Sequence, residues 1–206
     1  MQLAVTLEQG LQALGLTLPA GASAKLLAYL RLLHKWNRAY NLTAVRDIEE
    51  MVARHLLDSL AVLPYVVGPR VLDIGSGAGL PGIPLACARP DFVFTLLDSN
   101  AKKTGFLVQA VAELALHNVT VVTARVEQFH PPEQFLTLVA RAWAPIPDML
   151  DRAQHLLSPG NRLLALKGTF PKDELSVLSG PFTWEVKRLA VPGLSAERHL
   201  VIITRT

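Results

Sequence analysis

The chain changes its hydrophobic rhythm once. Up to about residue 65, apolar residues recur at three- and four-residue spacings; from Val71 onward, short apolar runs of strand length alternate with helical stretches. In the first part Leu7, Leu11 and Leu14 predict a short helix that Gly15 stops, with Thr6 and Gln9 in capping-box order. After a break at Pro19 and Gly21, Leu26, Leu30, Leu33 and Asn37 fall on one face of a longer helix, beside Tyr29, Trp36 and Tyr40. A third helix is predicted from Asp47, with Glu50 as its capping partner and Ile48, Val52, Leu56 and Leu63 as its apolar stripe, ending near Pro64. The second part reads as strands at 71–74, 92–97, 119–123, 135–140 and 162–166. Helices lie between them: one reaching about Ala88, one capped by Ser99 or Asn100 and closed by Asn118, and one at 148–157. Two final runs, 183–191 and 198–204, flank Pro192 and Gly193 and predict an antiparallel hairpin at the sheet edge. The pattern is that of an α/β fold: a mostly parallel seven-stranded sheet with helices on both faces, and ligands at the carboxyl ends of the strands. An N-terminal helical extension (1–65) and an α/β core (66–206) are expected to form a single domain, 1–206.

Composition narrows the classes. Half of the 206 residues are hydrophobic, enough for a chain of this size to bury roughly 70% of its unfolded surface. No apolar run reaches the roughly 18 residues that span a bilayer, and no basic leader precedes Glu8, so a soluble cytoplasmic protein is expected. The single cysteine, Cys87, allows no internal disulfide and has no companions for a zinc site, so it reads as a buried structural thiol and no metal is expected. A net charge of +3 is compatible with a polyanionic partner without requiring one.

The richest stretch is VLDIGSGAGLPGIPLA, residues 71–86. A strand runs into Asp73, then Gly75, Gly77 and Gly79 alternate before a helix that opens among prolines, so that a cofactor can lie against bare backbone. Gly77, Gly79 and Gly82 also match the dinucleotide spacing G-x-G-x-x-G. Asp73 weighs against that reading, because a carboxylate beside the turn repels a pyrophosphate. It favours S-adenosylmethionine, whose sulfonium and ammonium are positive. Asp98, at the end of the second strand, is placed to accept from both ribose hydroxyls. Val126 and Glu127 come after the third strand, where an adenine meets backbone amides. Arg141 and Trp143 come after the fourth, where reacting atoms converge.

The residues after strand four limit the acceptor chemistry. Methylation of an exocyclic amine goes with an Asn/Asp-Pro-Pro-aromatic tetrad; here the place reads Arg-Ala-Trp-Ala-Pro. Attack on a pyrimidine carbon needs a nucleophilic cysteine, and Cys87 belongs to the first helix of the α/β region. An acceptor that owns its lone pair, such as guanine N7, needs no general base, and catalysis is then mostly positioning and electrostatics.

The pieces HKWNRAYNLTAVRD (34–47), RHLLDSL (54–60), DIGSGAGLPGIPLA (73–86), LLDSNAKK (96–103), RVEQF (125–129), RAWA (141–144), LKG (166–168) and ERHLVII (197–203) together resemble, in order, the bacterial 16S ribosomal RNA guanine-N7 methyltransferase family, also called glucose-inhibited division protein B. The resemblance implies a Rossmann-like methyltransferase fold, S-adenosylmethionine as cofactor, and transfer of its methyl group to N7 of one guanine in the decoding region. Carried over by position, it implies that Gly75 and Leu80 line the cofactor, that Val126 and Glu127 hold the adenosine, and that Arg141 stands at the methionine end or the acceptor. The chain departs from the commoner pattern at Ala140, where a small hydroxyl residue is frequent, and at Trp143, where phenylalanine is frequent. Lys35, Arg38, Arg46, Arg54, His55, Lys102, Lys103, Lys167, Arg198 and His199 make a candidate basic rim for RNA, although a local ion pair such as Arg54 with Asp58 competes for each. The expected partner is 16S ribosomal RNA, a small subunit or an assembly intermediate, bound by a monomer with no membrane involved. Two alternatives stay open from the residues alone: a non-catalytic RNA-binding assembly factor on the same fold, and an NAD(P)-dependent oxidoreductase.

Overall fold

The computed structural model describes residues 2–206. Its first part is helical: α1 (Gln2–Ala13), α2 (Ala22–Tyr40), α3 (Ile48–Met51), a wide π turn over Val52–Leu57, and α4 (Asp58–Leu60). The apolar stripes meet as their spacing predicts, with Leu7, Leu11, Leu26, Leu30, Leu33 and Leu56 fully or almost fully buried in one cluster. Each such leucine contributes about 1.5–3 kcal/mol of burial. Three local expectations fail. Thr6 lies inside α1 and its hydroxyl donates back to the Gln2 carbonyl (3.2 Å), because the helix starts ahead of it. Asp47 does cap α3, but its carboxylate accepts from the Glu49 amide (2.9 Å), while Glu50 pairs with Arg54 at 3.6 Å. The third helix is not continuous either: the Asp58 amide donates to the Ala53 carbonyl, five residues back, which marks the π turn.

The second part supplies the sheet: β1 (Arg70–Ile74), β2 (Val93–Asp98), β3 (Val119–Thr123), β4 (Thr137–Arg141), β5 (Arg162–Lys167), β6 (Phe182–Arg188) and β7 (His199–Arg205). Their order is β3-β2-β1-β4-β5-β7-β6. The first five are parallel, and β7 pairs antiparallel with β5 and β6, the edge hairpin read from the sequence. Between them run α5 (Gly82–Ala88), α6 (Ala101–Glu113), α7 (Ile146–Ala153) and α8 (Lys172–Ser176). The short α8 has no counterpart in the sequence reading, and α7 starts two residues earlier than expected.

Alternate strand residues point to opposite faces, and both faces here are apolar, as a covered parallel sheet requires. Val71, Phe94, Val139 and Leu164 pack beneath Leu85 and Ala86 of α5. Leu72, Ile74, Leu138, Ala140 and Leu163 pack beneath Ile146 and Met149 of α7. Asp73 has the parity of Val71 and therefore faces α5. Asn118 does not close α6; Ala115 takes the left-handed conformation there (φ 47°). The Asn118 amide instead donates to the carbonyls of Ala86, Arg89 and Phe92 at 3.1–3.2 Å, tying the end of α5 to the start of β2. Strand order reverses between β1 and β4, and that switch point is where an open α/β sheet leaves a crevice.

Candidate active site

Two cavities open at the carboxyl ends of the strands. The first, about 330 Å³, is lined by Gly75, Asp98, Lys103, Val126, Glu127 and Trp143 among others. Gly75 forms its floor at φ 67°, in the left-handed region, and a Cβ there would stand 2.5 Å from Cδ1 of Trp143, so the indole lies on bare backbone. The Asp98 carboxylate accepts from the Gly77 amide at 2.9 Å on one oxygen and from the Asn100 amide at 2.8 Å on the other. Each oxygen keeps a lone pair for a further donor. Asn100, not Asp98, caps α6, accepting from the amides of Lys102 and Lys103.

Beneath the turn Asp73 is wholly buried and does not line the cavity. One carboxylate oxygen accepts from the Gly82 amide at 2.9 Å; the other has no partner. Burial pushes its pKa up to about 7 against the pull of that amide hydrogen bond. Gly82 itself leaves no room for a side chain, since a Cβ would come within 2.6 Å of the Asp73 oxygen. The Tyr29 hydroxyl donates to the Ala78 carbonyl at 2.6 Å, so α2 clamps the glycine turn from behind, and burial raises that phenol well above its ordinary range. Gly79 and Leu80, expected against the cofactor, are buried and line neither cavity. Cys87 is buried and its thiol is pushed up to about 12, which makes it inert as a nucleophile.

The second cavity, also about 330 Å³, adjoins the first at Ala142 and is walled by Asp58, Arg141, Leu166, Lys167, Gly168 and Arg198. Arg141 therefore lines the second cavity and not the first, next to Ala142, which borders both. Its Nη1 donates to an Asp58 carboxylate oxygen at 2.9 Å and to the Arg54 carbonyl at 3.1 Å. Nε of Arg198 donates to the other Asp58 oxygen at 2.8 Å.

The basic rim is smaller than the sequence implied. Asp58 pairs with these two arginines and not with Arg54. Arg54 turns back to Glu50 instead, and the π turn between Arg54 and Asp58 shifts the four-residue register that would have paired them. Lys167 is held by Glu174 at 2.7 Å and the Ala144 carbonyl at 3.1 Å. His199 is buried with Nδ1 against the Gly168 carbonyl (2.8 Å). His55 is buried against Thr43, and desolvation together with nearby Arg141 lowers its pKa to about 4, so it carries no charge for RNA. Lys103 turns to the first cavity. Lys35, Arg38, Arg46, Arg54 and Lys102 stay exposed. The residues missed in the sequence are Tyr29 as a clamp, Ala142 as the junction, Arg152 beside Glu127 (3.8 Å) and Asp58. Only Asp58 had a signal, its place in RHLLDSL, and the regular-helix register misassigned its partner.

Residues 22–201 match the family model described as GidB, rRNA small subunit methyltransferase G. The ribosomal RNA small subunit methyltransferase G of Nitrosococcus oceani is 54% identical over 198 residues, covering 95% of this chain and 92% of that protein. The protein of the same name from Alkalilimnicola ehrlichii is 50% identical over 199 residues, covering 96% and 90%. Among solved structures, an O-methyltransferase from Bacillus cereus in complex with SAH superposes with a TM-score of 0.61 at 15% identity, covering 87% of this chain and 91% of that one. The likeness in fold thus extends to methyltransferases of far more distant sequence. The chain belongs to the rRNA small subunit methyltransferase G family.

Proposed function

We propose that this chain transfers a methyl group from S-adenosylmethionine to N7 of one guanine in the decoding region of 16S ribosomal RNA. The observation that carries the reading is the pair of cavities meeting at Ala142, one shaped by the glycine turn and Asp98, the other by Arg141. The residues present fit the cofactor: a buried carboxylate oxygen of Asp73 lies unpartnered behind the turn, Asp98 has two free lone pairs, and Gly75 is bare. When bound, S-adenosylmethionine supplies a methyl on a sulfonium sulfur; its transfer to guanine N7 makes one N–C bond, breaks one S–C bond with the pair going to sulfur, and moves no proton.

The chain's own residues then bind and orient. Asp98 takes the two ribose hydroxyls, Val126 and Glu127 border the adenine, and Gly75 lets the ligand approach backbone, while bare Gly79 lets Ile83 and Leu107 pack under the turn. Trp143 gives the pocket an apolar wall, Leu80 backs the turn from within the core, and Asp73 beneath the turn is favoured in its charged form by a cationic ligand. Arg141, in the wall of the second cavity beside the junction at Ala142, faces the acceptor. The family's name supports ribosomal RNA as the substrate class, and guanine N7 suits a site whose functional groups are donors and fixed charges.

The test is calorimetric titration with S-adenosylhomocysteine, then methyl transfer offered to naked 16S RNA, small subunits and an assembly intermediate, all lacking the modification. Binding together with transfer to at least one RNA form is expected. Absence of binding at millimolar ligand would sink the reading.

A further inference from the structure

The second cavity holds more charge than folding asks for. Asp58 is only 3% exposed, yet guanidinium groups from the end of β4 and from the residue preceding β7 converge on its two oxygens. Buried ion pairs are weak contributors to stability, because desolvation offsets most of the attraction. The cluster is not sealed in the core but borders an open cavity with Leu166 and Ala142 in its wall. The π turn brings Asp58 there, and such turns recur at functional sites. Nearby, the half-exposed ring of Phe170 stands edge-on to His199, 5.7 Å between centroids.

We propose that this cavity takes the acceptor guanine, extruded from the RNA, and that Asp58 is the residue that recognises it. The assignment rests on the guanine-N7 reading above and adds the group that selects the base. Enzymes that modify a base draw it from the stack and read its Watson–Crick edge. Guanine presents two adjacent donors there, N1–H and N2–H, and a carboxylate presents two adjacent acceptors and no donor. Adenine and cytosine each offer an acceptor at the matching ring nitrogen, which a carboxylate repels. Each Asp58 oxygen accepts one guanidinium hydrogen bond and keeps a lone pair for the base. The arginines hold the carboxylate in orientation.

The experiment uses small subunits reconstituted with 16S RNA carrying either guanosine or inosine, which lacks the N2 amine, at the methylated position. For the wild-type chain, kcat/KM is expected to favour guanosine by roughly 10- to 100-fold, the usual span for a paired base contact. In Asp58→Asn, S-adenosylhomocysteine binding should stay within about threefold of wild type while the guanosine-to-inosine ratio falls to about 1–3. Asp58→Glu should restore part of the ratio. An unchanged ratio in Asp58→Asn overturns the assignment, as does loss of S-adenosylhomocysteine binding at an unaltered unfolding midpoint, which would make Asp58 a cofactor residue. Failure of the wild-type chain to methylate either RNA would instead overturn the N7 reading and this assignment with it.

Discussion

At the scale of single residues, Gly75 shapes the first cavity and Asp73 the turn behind it. Gly75 combines a φ of 67° with an indole directly above it. Gly75→Ala therefore meets both a left-handed penalty of about 1–2 kcal/mol and a clash with Trp143. Chemical denaturation should show that loss, and S-adenosylhomocysteine should bind at least about tenfold more weakly; unchanged binding would mean the indole swings aside freely. Asp73 sets a pH dependence. Its folded pKa of about 7 lies above the ordinary 3.8, so its contribution to stability is present below about pH 4 and is lost as pH rises through 7. In thermal unfolding across pH 4–8, Asp73→Asn should remove this downward trend in the ligand-free chain, and the variant should be the more stable of the two at pH 8. A steeper fall in the variant would contradict the assigned protonation. The glycines were the easiest residues to find and the least discriminating, because they suit two cofactors. Asp73 was legible as a carboxylate at a strand end, but its burial beneath α5 depends on strand parity and on the missing side chain at Gly82, which no spacing reveals.

At the scale of elements, helix stripes and strand runs were readable because burial of a face repeats with a fixed period. The parallel order and the edge hairpin agree with the alternation and with Pro192 and Gly193 between the last two runs. The π turn was not readable: Val52 and Leu56 keep helical spacing, and the extra residue per turn emerges only once Asp58 finds Arg141 and Arg198. The strand-four loop was equally silent, since alanine gives no hint of the φ of 51° that Ala142 adopts where the two cavities join. Strain of this kind persists where the surroundings demand it. Ala142→Gly should relieve about 1 kcal/mol of it, less the entropy that glycine adds, so the urea midpoint should hold or rise while kcat/KM drops severalfold as Arg141 and Trp143 lose their fixed orientation. A midpoint lowered with activity intact would remove the loop from the mechanism.

At the scale of the whole molecule, the helical extension and the α/β core share one apolar cluster, which includes Leu30 and Leu56 from the first and Ile83 and Leu107 from the second. The extension also carries exposed charge. Trp36 on α2 packs against Phe106 on α6 at 5.6 Å, which joins the helix bearing exposed Lys35 and Arg38 to the helix bearing exposed Lys102. Replacing these three with glutamate should weaken RNA binding at least about tenfold and reduce the salt slope by roughly one for each phosphate no longer neutralised, leaving S-adenosylhomocysteine binding unchanged. An unaltered slope would place the RNA elsewhere. The size of this rim was overestimated from sequence because Lys167, Arg198 and His199 look like surface charges until their partners Glu174, Asp58 and the Gly168 carbonyl are seen.

Methylation of a guanine N7 in small-subunit RNA is the central claim, and the most direct measurement maps the product. Unmodified small subunits are incubated with the chain and S-adenosylmethionine, the RNA is treated with borohydride and aniline, which cut at 7-methylguanosine, and the break is located by primer extension. A single enzyme-dependent break at one guanine of the decoding region is the expected result. Methyl incorporation without any such break, or a break at a guanine elsewhere in the RNA, would contradict it.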